Sequence, residues 1–125
     1  MAENDRRARG AEIMTKLFGD LPSPSATSAD MMDVTVEHLF GDIWSRPGLG
    51  HRDRELVTIA VIAALGFERQ LRAHLKGALN AGVTRDEIKE VMLHIAHYAG
   101  WPAGFTGLTL AHEVFEEADS AAAEE

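Results

Sequence analysis

Cysteine is missing from the sequence, and this absence restricts the possible chemistry more than any other feature of the composition. A chain without cysteine has no disulfide, no thiolate nucleophile, no cysteine redox relay and no thiolate metal site. We therefore exclude every reaction that needs a cysteine sulfur.

Basic residues and long apolar runs are also scarce. The 125 residues carry 12 Lys and Arg against 20 Asp and Glu, for a formal net charge of −8. A nucleic-acid binder needs a basic face that neutralises phosphate. The most apolar run, residues 56–65, is too short for a membrane span, which needs roughly 20 apolar residues. No secretory leader is recognisable, so we expect a cytoplasmic protein with neither nucleic acid nor membrane as a partner.

The sequence also lacks the alternation of apolar and polar residues that is typical of strands, and it has no Asn-Gly or Asp-Gly hairpin signal. Apolar residues recur instead at helical spacing, which predicts one all-α domain over residues 1–125 with about six helices. The predicted helices cover about 5–18, 29–40, 51–65, 67–80 and 84–98, with a last helix after Pro102. We expect the acidic, alanine-rich segment 119–125 to be a disordered tail.

The predicted helix at 51–65 is apolar almost all round from Leu56 to Leu65, so we expect it to be buried on every side. A small helical domain cannot easily bury this helix as well as Trp44, Trp101 and Phe105. The excess apolar surface predicts a homo-oligomer, in which a neighbouring copy covers it.

His74 is the leading candidate for general acid–base chemistry, because it lies on an otherwise apolar helix stripe and should be partly buried. Phe67 and Gln70 lie on the same side of that helix. On position alone, a core histidine bonded to a backbone carbonyl is the more common outcome. Glu55 opens the apolar helix, where it could serve the helix dipole, pair with an arginine, or orient His74.

His94 and Tyr98 share a helix face, and Trp101 follows one turn later, so the three could line a pocket wall or form a helix–helix interface. His94 and His97 are three residues apart without a third ligand nearby, so we predict no metal site.

The arginines at 46, 52, 54 and 72 are candidate carboxylate clamps, because their planar guanidinium matches a carboxylate. Arg54 or Arg72 paired with Glu55 is the alternative, purely structural role.

Several motifs within residues 41–118, which we take as the domain core, carry a family resemblance. They are Trp44-Ser45-Arg46-Pro47-Gly48-Leu49, Arg54-Glu55-Leu56, Arg72-Ala73-His74-Leu75, Gly77-Ala78-Leu79-Asn80-Ala81-Gly82, Thr84-Arg85-Asp86-Glu87-Ile88-Lys89-Glu90-Val91 and Tyr98-Ala99-Gly100-Trp101-Pro102-Ala103. Together they resemble the carboxymuconolactone decarboxylase family, which also includes the alkyl hydroperoxidase D type enzymes. The resemblance implies an all-α fold, a ring-shaped homo-oligomer (often a trimer or hexamer) and a pocket beside the two central helices.

The family's two branches differ in chemistry. The peroxidase branch places two cysteines at the positions of Phe67 and Gln70, while its Glu and His correspond to Glu55 and His74. Without the cysteines, the resemblance implies no peroxide reduction. The decarboxylase branch needs neither cysteine nor cofactor and removes a carboxylate from a lactone acid in aromatic-compound degradation. This chain departs from that branch at Gln70, where a Glu is usual, and at Glu55, so a different acid or lactone is open as substrate.

These observations predict a cofactor-free decarboxylase for a small anionic substrate, with no metal. The predicted catalytic residues are His74, Glu55 and His94, and the predicted substrate-binding residues are Arg72, Arg46, Gln70, Phe67, Tyr98 and Trp101. The alternatives are a related isomerase or lactone-processing enzyme, or a non-catalytic homo-oligomeric scaffold or ligand binder. An enzyme should enclose a cavity lined by His74 and at least one of Glu55, His94 or Arg72, whereas a scaffold should fill that space with Phe67 and Trp101.

Overall fold

Helices provide all the regular structure of the described residues, which are 2–20 and 23–124 of a computed structural model. The prediction of an all-α fold with six helices is confirmed, and none of the described residues forms a strand. The elements in chain order are α1 (Ala2–Phe18), a 3₁₀ turn (Ala26–Ser28), α2 (Ala29–Val34) with its π-helical continuation (Thr35–Ile43), α3 (His51–Leu65), α4 (Glu68–Asn80), α5 (Arg85–Ala99) and α6 (Trp101–Glu124).

Two separate apolar cores hold these helices together. The main core lies among α3, α4, α5 and α6, and its fully buried side chains include Ile59, Leu75 and Ile88. The second core lies between α1 and the π-helical segment, with Leu17 and Phe40 among its buried members. The chain is therefore a four-helix unit with an N-terminal helical pair packed against it.

Glycine brings the two members of the N-terminal pair close together. A Cβ at Gly10 of α1 would overlap the carbonyl oxygen of Val36, and a Cβ at Gly41 would lie 2.5 Å from the carbonyl oxygen of Arg6. Around this close approach, Arg6 forms an ion pair with Asp42 at 2.8 Å. The Gly10 that weakens the helix signal of α1 is thus a packing residue.

The boundaries around α4 and α5 follow local rules that the sequence shows. Gly66 ends α3 in the left-handed region at φ +81°, a conformation that costs glycine little. Thr84 and Glu87 form a capping box at the start of α5, with each side chain bonded to the other's backbone N–H. These caps fix where the helices that carry the candidate site begin and end.

Three expectations about the fold are wrong. Trp44 is buried in the second core, at 6% exposure, because the π-helical segment continues to Ile43 and turns its ring inward. The α3 helix is not buried on every side of this chain: Val57, Val61 and Leu65 are 55%, 50% and 61% exposed.

The end of the chain also differs from expectation, since α6 continues to Glu124 where a disordered tail was predicted. Alanine has the highest helix propensity, and no glycine or proline interrupts residues 108–124. Asp119 also pairs with Arg85 at 2.7 Å, which ties this part of α6 to α5. At its other end α6 begins at Trp101, before Pro102, because the first turn of a helix tolerates proline. Within the described part of the chain, every helix is too short or too polar to cross a bilayer.

Candidate functional site

The structure brings Glu55 of α3 and His74 of α4 together. His74 Nδ1 lies 2.7 Å from Glu55 Oε1, a short hydrogen bond between two side chains 19 residues apart in sequence. The Glu55 side chain is fully buried, and the His74 side chain retains 18% exposure. Glu55 is therefore neither a surface helix-end charge nor the partner of an arginine.

The second carboxyl oxygen of Glu55 has unusual surroundings. Oε2 is buried and has no hydrogen-bond partner among the residues that the structure describes. It faces Gly77 of α4, where a Cβ would overlap Oε2 and would lie 2.9 Å from Cε1 of Phe18. The missing side chain at Gly77 is thus what leaves room for the carboxyl group.

Burial raises the pKa of Glu55 above its ordinary value, because a charged carboxylate loses hydration there. The hydrogen bond from His74 and the positive charges of His74 and His51 act in the opposite direction, and burial remains the larger effect. The pair therefore binds a proton more readily than an exposed carboxylate would.

Aromatic rings surround His74. The Phe18 ring meets it edge to face, with centroids 5.1 Å apart at 87°, and the Trp44 ring lies 6.2 Å away. Nδ1 of His74 makes the hydrogen bond to Glu55, whereas Nε2 makes no hydrogen bond to any described residue. A histidine held through Nδ1 by a carboxyl group presents Nε2 to a substrate, as a donor or as an acceptor according to its protonation.

The loop before α3 lies next to this pair. Arg54 donates to the carbonyl oxygens of Leu49 at 3.1 Å and Arg46 at 3.2 Å, which fixes the loop's shape. His51 Nε2–H donates to the carbonyl oxygen of Trp44 at 3.1 Å. An open cavity of about 490 Å³ lies against this loop, and its lining includes Trp44, Arg46 and His51.

His94 lies apart from the Glu55–His74 pair. Its ring is 5.1 Å from that of Tyr98, as the shared helix face predicted. It lines a groove of about 360 Å³ between α3 and α5, together with Leu56 and Glu87. No hydrogen bond or ring contact joins it to Glu55 or His74 among the residues the structure describes, so the predicted three-residue catalytic group is not assembled in this chain.

Arg72 is engaged elsewhere. It pairs with Glu113 at 2.5 Å and with Glu117 at 2.9 Å, both on α6. Since Arg54 holds the loop instead, the predicted alternative of an arginine paired with Glu55 is wrong.

The remaining predicted binding residues lie at the surface. Gln70 is exposed, Phe67 is 55% exposed and Trp101 is 54% exposed beside the ring of His97 at 4.9 Å. Phe67 and Trp101 therefore do not fill the space as a scaffold would require. The cavity beside the Glu55–His74 pair also differs from the enclosed one expected for an enzyme. It is open, and its lining includes Trp44 but not His74.

Two features of the site were missed in the sequence. Phe18 and Gly77 both contact the Glu55–His74 pair. Phe18 is more than 30 residues from either member in the sequence. Gly77 lies inside a helix, where the apolar pattern does not mark it. A glycine inside an otherwise strong helix is the signal that could have indicated Gly77, because it suggests close packing. Within 5–20 and 23–124, no three His, Asp or Glu side chains are arranged so that they could hold a metal ion.

Comparison with known proteins supports the same reading of the sequence. The carboxymuconolactone decarboxylase family profile matches residues 29–113. The chain is 40% identical to a 4-carboxymuconolactone decarboxylase of Acinetobacter baylyi, over 94% of this chain and 92% of that protein. It is 39% identical to a nitrosuccinic acid decarboxylase of Metarhizium robertsii, over 57% of this chain and 50% of that one. An uncharacterized 15.0 kDa protein of Paracoccus denitrificans is 35% identical over 85% of this chain and 73% of its own length. The protein belongs to the carboxymuconolactone decarboxylase family.

Proposed function

We propose that this protein is a decarboxylase that works without a cofactor on a small unsaturated lactone acid of the 4-carboxymuconolactone type. The observation that carries the proposal is the bond between buried Glu55 and His74, which leaves Nε2 of His74 without a partner among the described residues. The name of the Acinetobacter relative supports the substrate class.

The reaction needs an electron sink, and the conjugated lactone carbonyl of such a substrate supplies it. When the bond to the carboxylate breaks, CO₂ leaves and the electron pair moves into the conjugated system, so that negative charge develops on the carbonyl oxygen. The protein has to hold the carboxylate in an apolar place, stabilise that oxygen and protonate carbon.

The chain has a group for each task. The Trp44 ring beside His74, which also lines the adjacent cavity, supplies apolar surroundings for the departing carboxylate. His74 Nε2–H donates to the developing oxyanion and then gives its proton to carbon, and a proton from water restores it. Glu55 orients the ring through Nδ1, and Arg46, exposed on the loop that lines the adjacent cavity, is available to a substrate carboxylate.

The test is decarboxylation of 4-carboxymuconolactone by the purified protein, followed by ultraviolet absorbance. We expect His74→Ala to lower kcat by about 10²- to 10⁴-fold, the range of general acid–base catalysis. His112→Ala is the matched control, because His112 lies exposed on α6, where it pairs with Glu116. Undiminished turnover in His74→Ala would refute the role of the histidine. No turnover by the wild type would refute this substrate and direct the search to other unsaturated acids.

We also propose that the chain forms a homo-oligomer, a trimer or hexamer. The support is the exposed apolar surface on α3 and α6, which includes Val57, Val61 and Phe105. Sedimentation of the wild type should give a multiple of the 13.6 kDa chain mass, and Val61→Glu should lower it. A wild type that sediments as a monomer at micromolar concentration would contradict the proposal.

A further inference from the structure

Phe18, the last residue of α1, covers the buried side of the Glu55–His74 pair. Its ring lies 5.1 Å from the His74 ring at 87°, and its other neighbour is Phe40, at 5.7 Å and 84°. Gly19 follows in the left-handed region at φ +76°, which ends α1 there. The helix end thus delivers an aromatic side chain to the site from outside the segment that matches the family profile, 29–113.

The ring and the unpartnered carboxyl oxygen face the same point. A Cβ at Gly77 would overlap Glu55 Oε2 and would lie 2.9 Å from Phe18 Cε1. Since Oε2 is buried and has no hydrogen-bond partner among the described residues, the apolar ring beside Gly77 offers it no replacement for hydration.

Two side chains of α4 hold the end of α1 in this position. Asn80 Nδ2 donates to the carbonyl oxygen of Leu17 at 2.7 Å, and Lys76 Nζ donates to that of Phe18 at 3.3 Å. These carbonyls have no partner within their own helix, because they belong to its last turn. The helix that carries His74 therefore also fixes the ring that covers Glu55.

Two ionisable groups act on the Glu55 carboxyl, one from α4 and one from its own helix α3. His74 on α4 and His51 on α3 act on the carboxyl through their charges. From α1 and the following helical segment, the rings of Phe18 and Trp44 contact His74, and the Phe40 ring packs against both of them. Lys76 directs its ammonium group to the Phe18 carbonyl.

We propose that Phe18 is a positioning residue whose ring keeps water from the Glu55 carboxyl and holds the His74 ring in place. This rests on the proposed function, in which the Glu55–His74 pair supplies the proton. The ring then sets the pH at which the pair gives up that proton, and α1 is a part of the site although it touches no reacting atom.

The experiment is a ¹³C NMR titration of the Glu55 side-chain carboxyl in the full chain. Phe18→Ala should lower the midpoint by about one pH unit, because water gains access and stabilises the charged form. Phe18→Gln fills similar space with a hydrogen-bond donor and should lower it at least as much. Phe18→Leu keeps an apolar cover and should retain the wild-type midpoint.

Met14→Ala is the matched control, because Met14 is a buried residue of the same helix, one turn earlier, that packs in the second core. It should lower stability and leave the midpoint unchanged. Equal midpoints in Phe18→Gln and Met14→Ala would overturn the proposal, even if Phe18→Ala does not fold. The titration needs no substrate, so a shifted midpoint in a protein that does not decarboxylate would refute the reaction and retain the role of Phe18.

Discussion

Gly77→Ala adds one methyl group at the most crowded point of the site. The new Cβ would overlap Glu55 Oε2 and would also lie 2.9 Å from Phe18 Cε1 and 3.4 Å from Glu55 Cδ. The carboxyl group cannot move freely, because its other oxygen is bonded to His74 at 2.7 Å. The methyl group therefore has to displace either the Phe18 ring or the carboxyl group.

The magnitude follows from three contributions. Loss of a hydrogen bond to a charged group costs about 1.5–3 kcal/mol, or overpacking costs about 1–3 kcal/mol if the bond survives. Replacing glycine by alanine inside a helix offsets about 1 kcal/mol of this. We expect the free energy of unfolding to fall by up to about 2 kcal/mol. We expect kcat/KM to fall by about 100-fold, because the His74 ring is no longer held in register.

Gly107→Ala is the matched control for this change. Gly107 is also buried inside a helix, and a Cβ there would overlap the side chain of Met92. That side chain is flexible and has no role in the proposed chemistry, so this variant should lose less stability and should keep its activity. Urea unfolding and the ultraviolet assay measure both quantities. Wild-type activity in Gly77→Ala, or an equal loss in Gly107→Ala, would refute the reasoning.

Two further predictions concern pH and helix capping. Because burial raises the Glu55 pKa above its ordinary 4.5, the stability that its protonated form contributes is full below about pH 4.5 and is lost as the pH rises through the folded-state pKa. The free energy of unfolding of the wild type, relative to that of Glu55→Gln, should therefore fall as the pH rises above about 4.5. Urea titrations at several pH values measure both free energies. A difference that stays constant with pH would contradict the prediction. Thr84→Ala removes the cap that accepts from Glu87 N–H at 3.0 Å and should lower stability by about 1 kcal/mol. Thermal unfolding measures this against Thr109→Ala on the exposed face of α6, and equal stabilities would show that the cap contributes nothing.

Much of the helical framework could be predicted, because local residues determine it. Gly66 ends α3 and the Thr84–Glu87 box begins α5, and both signals act over one helical turn. The pairing of Glu55 with His74 is different, since 19 residues separate them and the sequence offered this pairing only as one of several roles for Glu55.

The parts that could not be predicted depend on contacts between distant segments. Nothing local distinguishes Trp44 as buried, because its burial depends on α1 packing against a π-helical segment whose winding the apolar pattern does not show. Phe18 meets His74 at an end of α1 that Lys76 and Asn80 of α4 hold through hydrogen bonds, and no local pattern shows these contacts. Arg72 was predicted as a carboxylate clamp, but its ion-pair partners follow about 40 residues later on α6.

The two separate cores have a consequence for motion at the site. The Glu55–His74 pair lies at the seam between the four-helix unit and the N-terminal pair, and the ring that closes this seam belongs to α1. Proteins open in cooperative units whose free energies lie below that of global unfolding. Partial detachment of α1 would admit water to the pair while Ile59, Leu75 and Ile88 stay packed, so the hydration of the site is governed by the local stability of the smaller core.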